Sequence, residues 1–126
     1  MKTVSPDRRK NRSNNLHDAI AYKLAASVDR ANFSAMVLSD ANGCVVAKVG
    51  DDDICEQMAA LSPGLATNNR AWHGPMDLES GTIRMTVAPI CIKDMPFYLA
   101  ASGGDHGHLI TREMIWSGMG VGRIFV

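Results

Sequence analysis

Apolar side chains recur every four residues at Leu16, Ile20, Leu24 and Val28, with Ala19, Ala25 and Ala26 between them. That period matches one face of an amphipathic helix. Asn14 or Asn15 can cap its start, and Asp18 suits its first turn. The period then changes. Ser34–Ser39 and Cys44–Val49 are short apolar runs on either side of Asp40-Ala41-Asn42-Gly43. Asn and Gly accept the positive φ that tight turns need, so these runs predict a covered hairpin. A second helical period follows at Ile54, Met58, Leu61 and Leu65. Asp51, Asp52 and Asp53 precede it and suit the positive end of a helix, with Asp53 and Glu56 at capping-box spacing. Pro63-Gly64 predicts a bend or end of that helix.

Residues 67–77 are Asn-rich and hold Trp72, His73, Gly74 and Pro75, which predicts a loop or an irregular helix end. Thr82–Ile92 alternates, with Ile83, Met85 and Val87 on one face and Arg84 and Thr86 on the other. Lys93–Pro96 turns the chain, Phe97–Ser102 returns, and a short strand near Leu78 precedes this pair. A last helix is predicted over 109–125. Gly118, Gly120 and Gly122 weaken it by propensity but suit close packing on a sheet. The elements run α-β-β-α-β-β-β-α. Hairpins dominate, so the fold class is α+β, an antiparallel sheet of about five strands flanked by helices.

The chain has 126 residues, enough for one domain with its own core. Residues 1–13 are polar, include Pro6, and read as a flexible basic tail before a single domain over 14–126. Lysine plus arginine equals aspartate plus glutamate, 13 each. That balance disfavours a nucleic-acid binder, which draws much of its affinity from phosphate neutralisation. The basic run Arg8-Arg9-Lys10-Asn11-Arg12 reads as a solvated tail, or else as a tether for an acidic partner, nucleic acid or an anionic membrane. Cys44, Cys55 and Cys91 are odd in number and form no C-x-x-C. They are expected to be small core residues in a reducing compartment. With no signal-like N-terminus and no span-length apolar run, the cytoplasm is the expected location.

Candidate chemistry is sparse. Asp105, His106 and His108 offer weak candidate metal ligands, with His73 as the one distant partner, but the segment reads rather as a polar, Gly-rich loop leading into the last helix, with Asp105 as its cap. The glycines do not form a nucleotide-binding pattern, and there is no G-x-S-x-G. Ser102 beside His106 is a sequence neighbour rather than a nucleophile–base pair. Cys91 reads as core, and Asp77 and Glu79 as solvated carboxylates. No cofactor or catalytic residue is assigned, and the chain is not expected to be an enzyme. Met36, Met58, Met85 and Met114 fall on predicted core faces. Met76, Met95 and Met119 fall on the surface, where methionine and tryptophan suit partner binding.

The helix followed by Ser34-Ala35-Met36-Val37-Leu38-Ser39-Asp40-Ala41-Asn42-Gly43-Cys44-Val45-Val46-Ala47, then a helix with Met58-Ala59-Ala60-Leu61, a strand pair and a closing helix, resembles the Roadblock/dynein light chain family. The resemblance implies a non-catalytic regulatory or scaffolding module. Such proteins dimerise by joining sheets at an edge and packing helices, and many serve as platforms for small Ras-like GTPases. It therefore implies a homodimer, a GTPase or other signalling protein as partner, and an interface on the 54–65 helix and the 44–49 strand. Val46, Lys48, Ile54, Gln57, Met58 and Leu61 are its candidates. The Asp-x-x-Gly hairpin, Val87-Ala88-Pro89-Ile90 with Tyr98-Leu99-Ala100-Ala101, and Gly122-Arg123-Ile124 also resemble GAF domains. The alternative is thus a small-ligand sensor with Trp72 and His73 lining its pocket.

Overall fold

The computed structural model describes the backbone of residues 5–104 and 118–122, with side chains from residue 18 on. The first helix, α1, runs Ser5–Ala31. Its start lies before Asn14 and Asn15, so neither caps it, and residues 5–13 are helical. Pro6 is compatible with this, because proline is tolerated in a helix's first turn. Asn32, at φ 57°, alone joins α1 to strand β1, Phe33–Asp40. The turn then leads to β2, Val45–Val49.

The Asp40–Gly43 turn forms for the expected reason. Asp40 Oδ1 accepts from the backbone N–H of Asn42 at 2.9 Å and of Cys44 at 3.0 Å, and Gly43 sits at φ 81°. Helix α2 spans Asp52–Leu65. Its cap is Asp51, whose Oδ2 accepts from the Ile54 N–H at 3.0 Å, rather than Asp53. The helix also does not end at Pro63. Ser62 Oγ donates to the Met58 carbonyl at 2.7 Å, and the Ala66 N–H closes on the Ser62 carbonyl at 3.0 Å.

A short 3-10 turn at Thr67–Asn69 leads into β3, Trp72–Leu78. The expected loop is therefore mostly a strand. Its signal was an alternation: Trp72, Gly74, Met76 and Leu78 are half-buried, and His73, Pro75 and Asp77 are exposed. Proline is acceptable there because β3 lies at the sheet edge, where an N–H can be spared. Strand β4 runs Gly81–Ile92 and β5 runs Met95–Gly103. Lys93 and Asp94, both at positive φ, form the two-residue hairpin between them. The sheet is fully antiparallel in the order β2-β1-β5-β4-β3.

Helix α1 covers one face of this sheet, and α2 covers the other. Ile20, Leu24 and Ala31 pack with Phe33, Met36, Leu38 and Leu99 on the α1 side. Cys55, Met58 and Ala59 pack with Val37, Met85, Val87 and Ala100 on the α2 side. The register shift between Leu38 and Ser39 makes Val46 an extra residue in β2. A bulge of this kind sets neighbours on one face, so Val46 joins Ala47 on the α1 side. Residues 118–122 are helical, and Val121 is fully buried in the same α1-side cluster. The glycine spacing permits that approach: a Cβ on Gly118 would lie 3.0 Å from Ile90 Cγ2.

Candidate interaction surface

Helix α2 is tied to the sheet at three points. The Lys48 ammonium sits 3.1 Å from the Asp52 carboxylate, and this hydrogen bond raises the Lys48 pKa. Cys55 Sγ donates to the Val49 carbonyl at 3.5 Å, and burial raises that thiol's pKa. Gln57 Oε1 accepts from the Glu79 N–H at 3.0 Å, which fastens the helix to the β3–β4 turn. These contacts bring α2 alongside the half of the sheet that ends in β3.

Among the described residues β3 pairs with β4 alone, which leaves its other edge open. Between that edge and α2 lies a strip of half-buried apolar side chains: Leu61, Leu65, Trp72, Met76 and Ile83. Each touches the core and also meets solvent. An open edge next to an apolar strip is the usual setting for association with another chain, because unpaired N–H and C=O groups and apolar surface are satisfied together.

The six interface candidates do not form one patch. Ile54, Gln57 and Leu61 lie half-buried on α2, and Lys48 lies beside them across the Asp52 ion pair. Met58 is fully buried against the sheet and presents nothing to a partner. Val46 packs on the opposite, α1 side. Helical period alone cannot separate Met58 from Leu61, since both fall on the apolar side of α2.

The other candidates scatter. Asp105, His106 and His108 lie outside the described residues. His73 is exposed, with Nδ1 2.6 Å from Thr86 Oγ1. Among the described residues no three His, Cys, Asp or Glu side chains group to hold a metal. Ser102 is buried. Of the cysteines only Cys55 is core, and Cys44 and Cys91 are exposed. Cys91 faces away from its neighbours because Ile90 and Ile92 point to the α1 side. It lines an open groove of about 660 Å³ with Pro63, Ala66, Asn68, Pro89 and Tyr98. Neither Trp72 nor His73 lines that groove. Met36, Met58 and Met85 are fully buried, and Met95 and Met119 are exposed, as their positions implied.

Solved structures place this architecture. The gliding protein MglB from Thermus thermophilus superposes with a TM-score of 0.66 at 12% identity, over 87% of this chain and 90% of that one. MglB from Myxococcus xanthus gives 0.61 at 13% identity, over 86% and 89%. A Roadblock/LC7 domain from Streptomyces avermitilis gives 0.59 at 18% identity, over 80% and 92%. The chain has the Roadblock/LC7 fold. No protein-family model matches it, and no curated protein matches it in sequence. The Roadblock/LC7 likeness is therefore one of architecture: α1 and α2 on opposite faces of a five-stranded sheet. Among the described residues, no helix is long and apolar enough to cross a membrane.

Proposed function

We propose that this chain is a non-catalytic regulatory module that acts as a homodimer and offers a platform to a small Ras-like GTPase. The observation that carries the proposal is the open β3 edge beside the apolar strip of Leu61, Leu65, Trp72, Met76 and Ile83. Two copies meeting at β3 would extend the sheet and cover both strips. The proposed interface lies on α2 and β3 rather than on α2 and β2. Ile54, Gln57 and Leu61 stay within it, Lys48 lies at its margin, and Val46 and Met58 drop out. The GTPase partner rests on the likeness to Roadblock proteins, since fold alone does not set function.

The test has two arms. The purified chain is sedimented to establish its mass, with Met76→Asp as the variant that puts a charge into the strip. It is then titrated with Ras-like GTPases from its own source, loaded with GDP or with a non-hydrolysable GTP analogue. Nucleotide-dependent binding by the dimer supports the reading. A monomer that binds no GTPase in either state removes it.

A further inference from the structure

The proposed dimer makes no use of the basic run in α1, and the backbone geometry gives that run a distinct place. α1 has 27 residues and β1 has 8. At about 1.5 Å and 3.4 Å per residue these are about 40 Å and 27 Å long. Asn32 alone joins them, so α1 runs back along β1. Roughly the first two turns of α1 therefore extend past the Asp40 end of β1. Those turns contain Arg8, Arg9, Lys10 and Arg12.

Charge is partitioned along the same axis. The first 17 residues hold five of the 13 basic side chains (Lys2, Arg8, Arg9, Lys10, Arg12) and one of the 13 acidic ones (Asp7). The formal net charge is zero, so the rest of the chain is acidic by the same four units. Six of the remaining 12 acidic groups gather at the far end of the sheet, whereas Asp40 and Asp94 lie at the Asp40 end. Asp51, Asp52, Asp53 and Glu56 open α2 where β2 ends, and Asp77 and Glu79 flank the β3–β4 turn. The Gln57–Glu79 hydrogen bond brings these two segments together. All six are exposed, and Lys48 offsets Asp52.

We infer that the basic start of α1 is an interaction surface whose occupant is the acidic body of a second copy of this chain. The charges of arm and body are equal and opposite, so the complement is present in every copy. A continuous helix cannot fold back on its own domain's far end, so the contact is between molecules. It is head-to-tail, unlike a two-fold dimer across β3, and such contacts add copies without closing. It is also electrostatic. Ionic strength near 0.01 M leaves it nearly unscreened, and about 1 M suppresses it, with Debye lengths of about 30 Å and 3 Å.

The test is light scattering of the full chain at those two salt concentrations. The weight-average mass is expected to roughly double, or rise further, at low salt and return to the base unit at high salt. The base unit, monomer or β3 dimer, is read separately at high salt, so this inference stands or falls apart from the dimer. A variant with Arg8→Gln, Arg9→Gln, Lys10→Gln and Arg12→Gln should stay at the base unit in both, with its helix content checked by circular dichroism. Reversal on both sides completes the test. A chain with Arg8→Glu, Arg9→Glu, Lys10→Glu and Arg12→Glu, mixed with one carrying Asp53→Lys, Glu56→Lys and Glu79→Lys, should associate at low salt. A mass independent of salt, or low-salt assembly that survives neutralisation of the arm, overturns the inference. So does arm-dependent binding of a short DNA duplex or of phosphatidylserine vesicles without self-association.

Discussion

Two glycines near α2 should respond in opposite directions to the same substitution. At Gly43→Ala the backbone stays at φ 81°, which costs an alanine about 1–2 kcal/mol. The new Cβ would lie 3.1 Å from Ala60 Cα and 3.2 Å from the Ala59 carbonyl oxygen. Both are backbone atoms of α2, held in place by the buried Met58 and Ala59, so they cannot swing aside. Overpacking of this kind adds about 1 kcal/mol, for a total loss of about 2–3 kcal/mol. For a chain of this length that lowers Tm by roughly 8–12 °C. Gly64 is helical and exposed, and a Cβ there meets nothing within 4 Å. Gly64→Ala should therefore raise stability by about 0.5–1 kcal/mol, because alanine has less backbone freedom to lose. Urea and thermal unfolding at one fixed protein concentration measure both, since any association also shifts Tm. A Gly43→Ala chain within about 0.5 kcal/mol of the parent, or a Gly64→Ala chain less stable than it, would refute the packing of the hairpin turn against α2.

Four further substitutions probe the same region. Met58→Ala should cost about 2–5 kcal/mol in unfolding by leaving a cavity under α2; a variant of parental stability would contradict its burial. Asp51→Ala removes the cap on Ile54 and should cost about 1 kcal/mol, whereas Asp53→Ala should change stability by less than about 0.5 kcal/mol. Burial raises the Cys55 pKa, so the thiol stays neutral in the fold at pH values where the unfolded chain ionises. Its contribution is fully present below the ordinary thiol pKa and is lost as pH rises through and above that value. Unfolding measured from pH 7 to 10 should show this fall, and Cys55→Ala should reduce it. In the native protein a thiol reagent should label Cys44 and Cys91 quickly and Cys55 only on unfolding.

The hairpins and both long helices were legible because their signals are local: a four-residue apolar period, Asp-x-Asn-Gly at a turn, acids before a helix. What escaped depends on neighbours in space. Gly74 and Pro75 read as loop residues, yet at an unpaired edge neither breaks a strand, and the Trp72–Met76 alternation was the better guide. Pro63 reads as a stop, but Ser62 and Ala66 complete the last turn around it. Cys91 sits in an apolar run, and only its register, one residue off Ile90 and Ile92, turns it outward. Met58 is buried and Val46 lies on the α1 side for the same kind of reason. Burial under the sheet and a one-residue bulge are decided by partners that no local pattern names. The apolar strip on Trp72, Met76 and Ile83 escaped because the third strand was expected only near Leu78, whereas it begins at Trp72.

The most direct test of the account is the mass of the chain in solution at high salt, by sedimentation, with and without Met76→Asp. The account predicts about twice the 13.6 kDa of one chain for the parent and a folded 13.6 kDa monomer for the variant. A parent that sediments as a monomer at every concentration, or a variant that remains dimeric, would contradict a dimer built on the β3 edge.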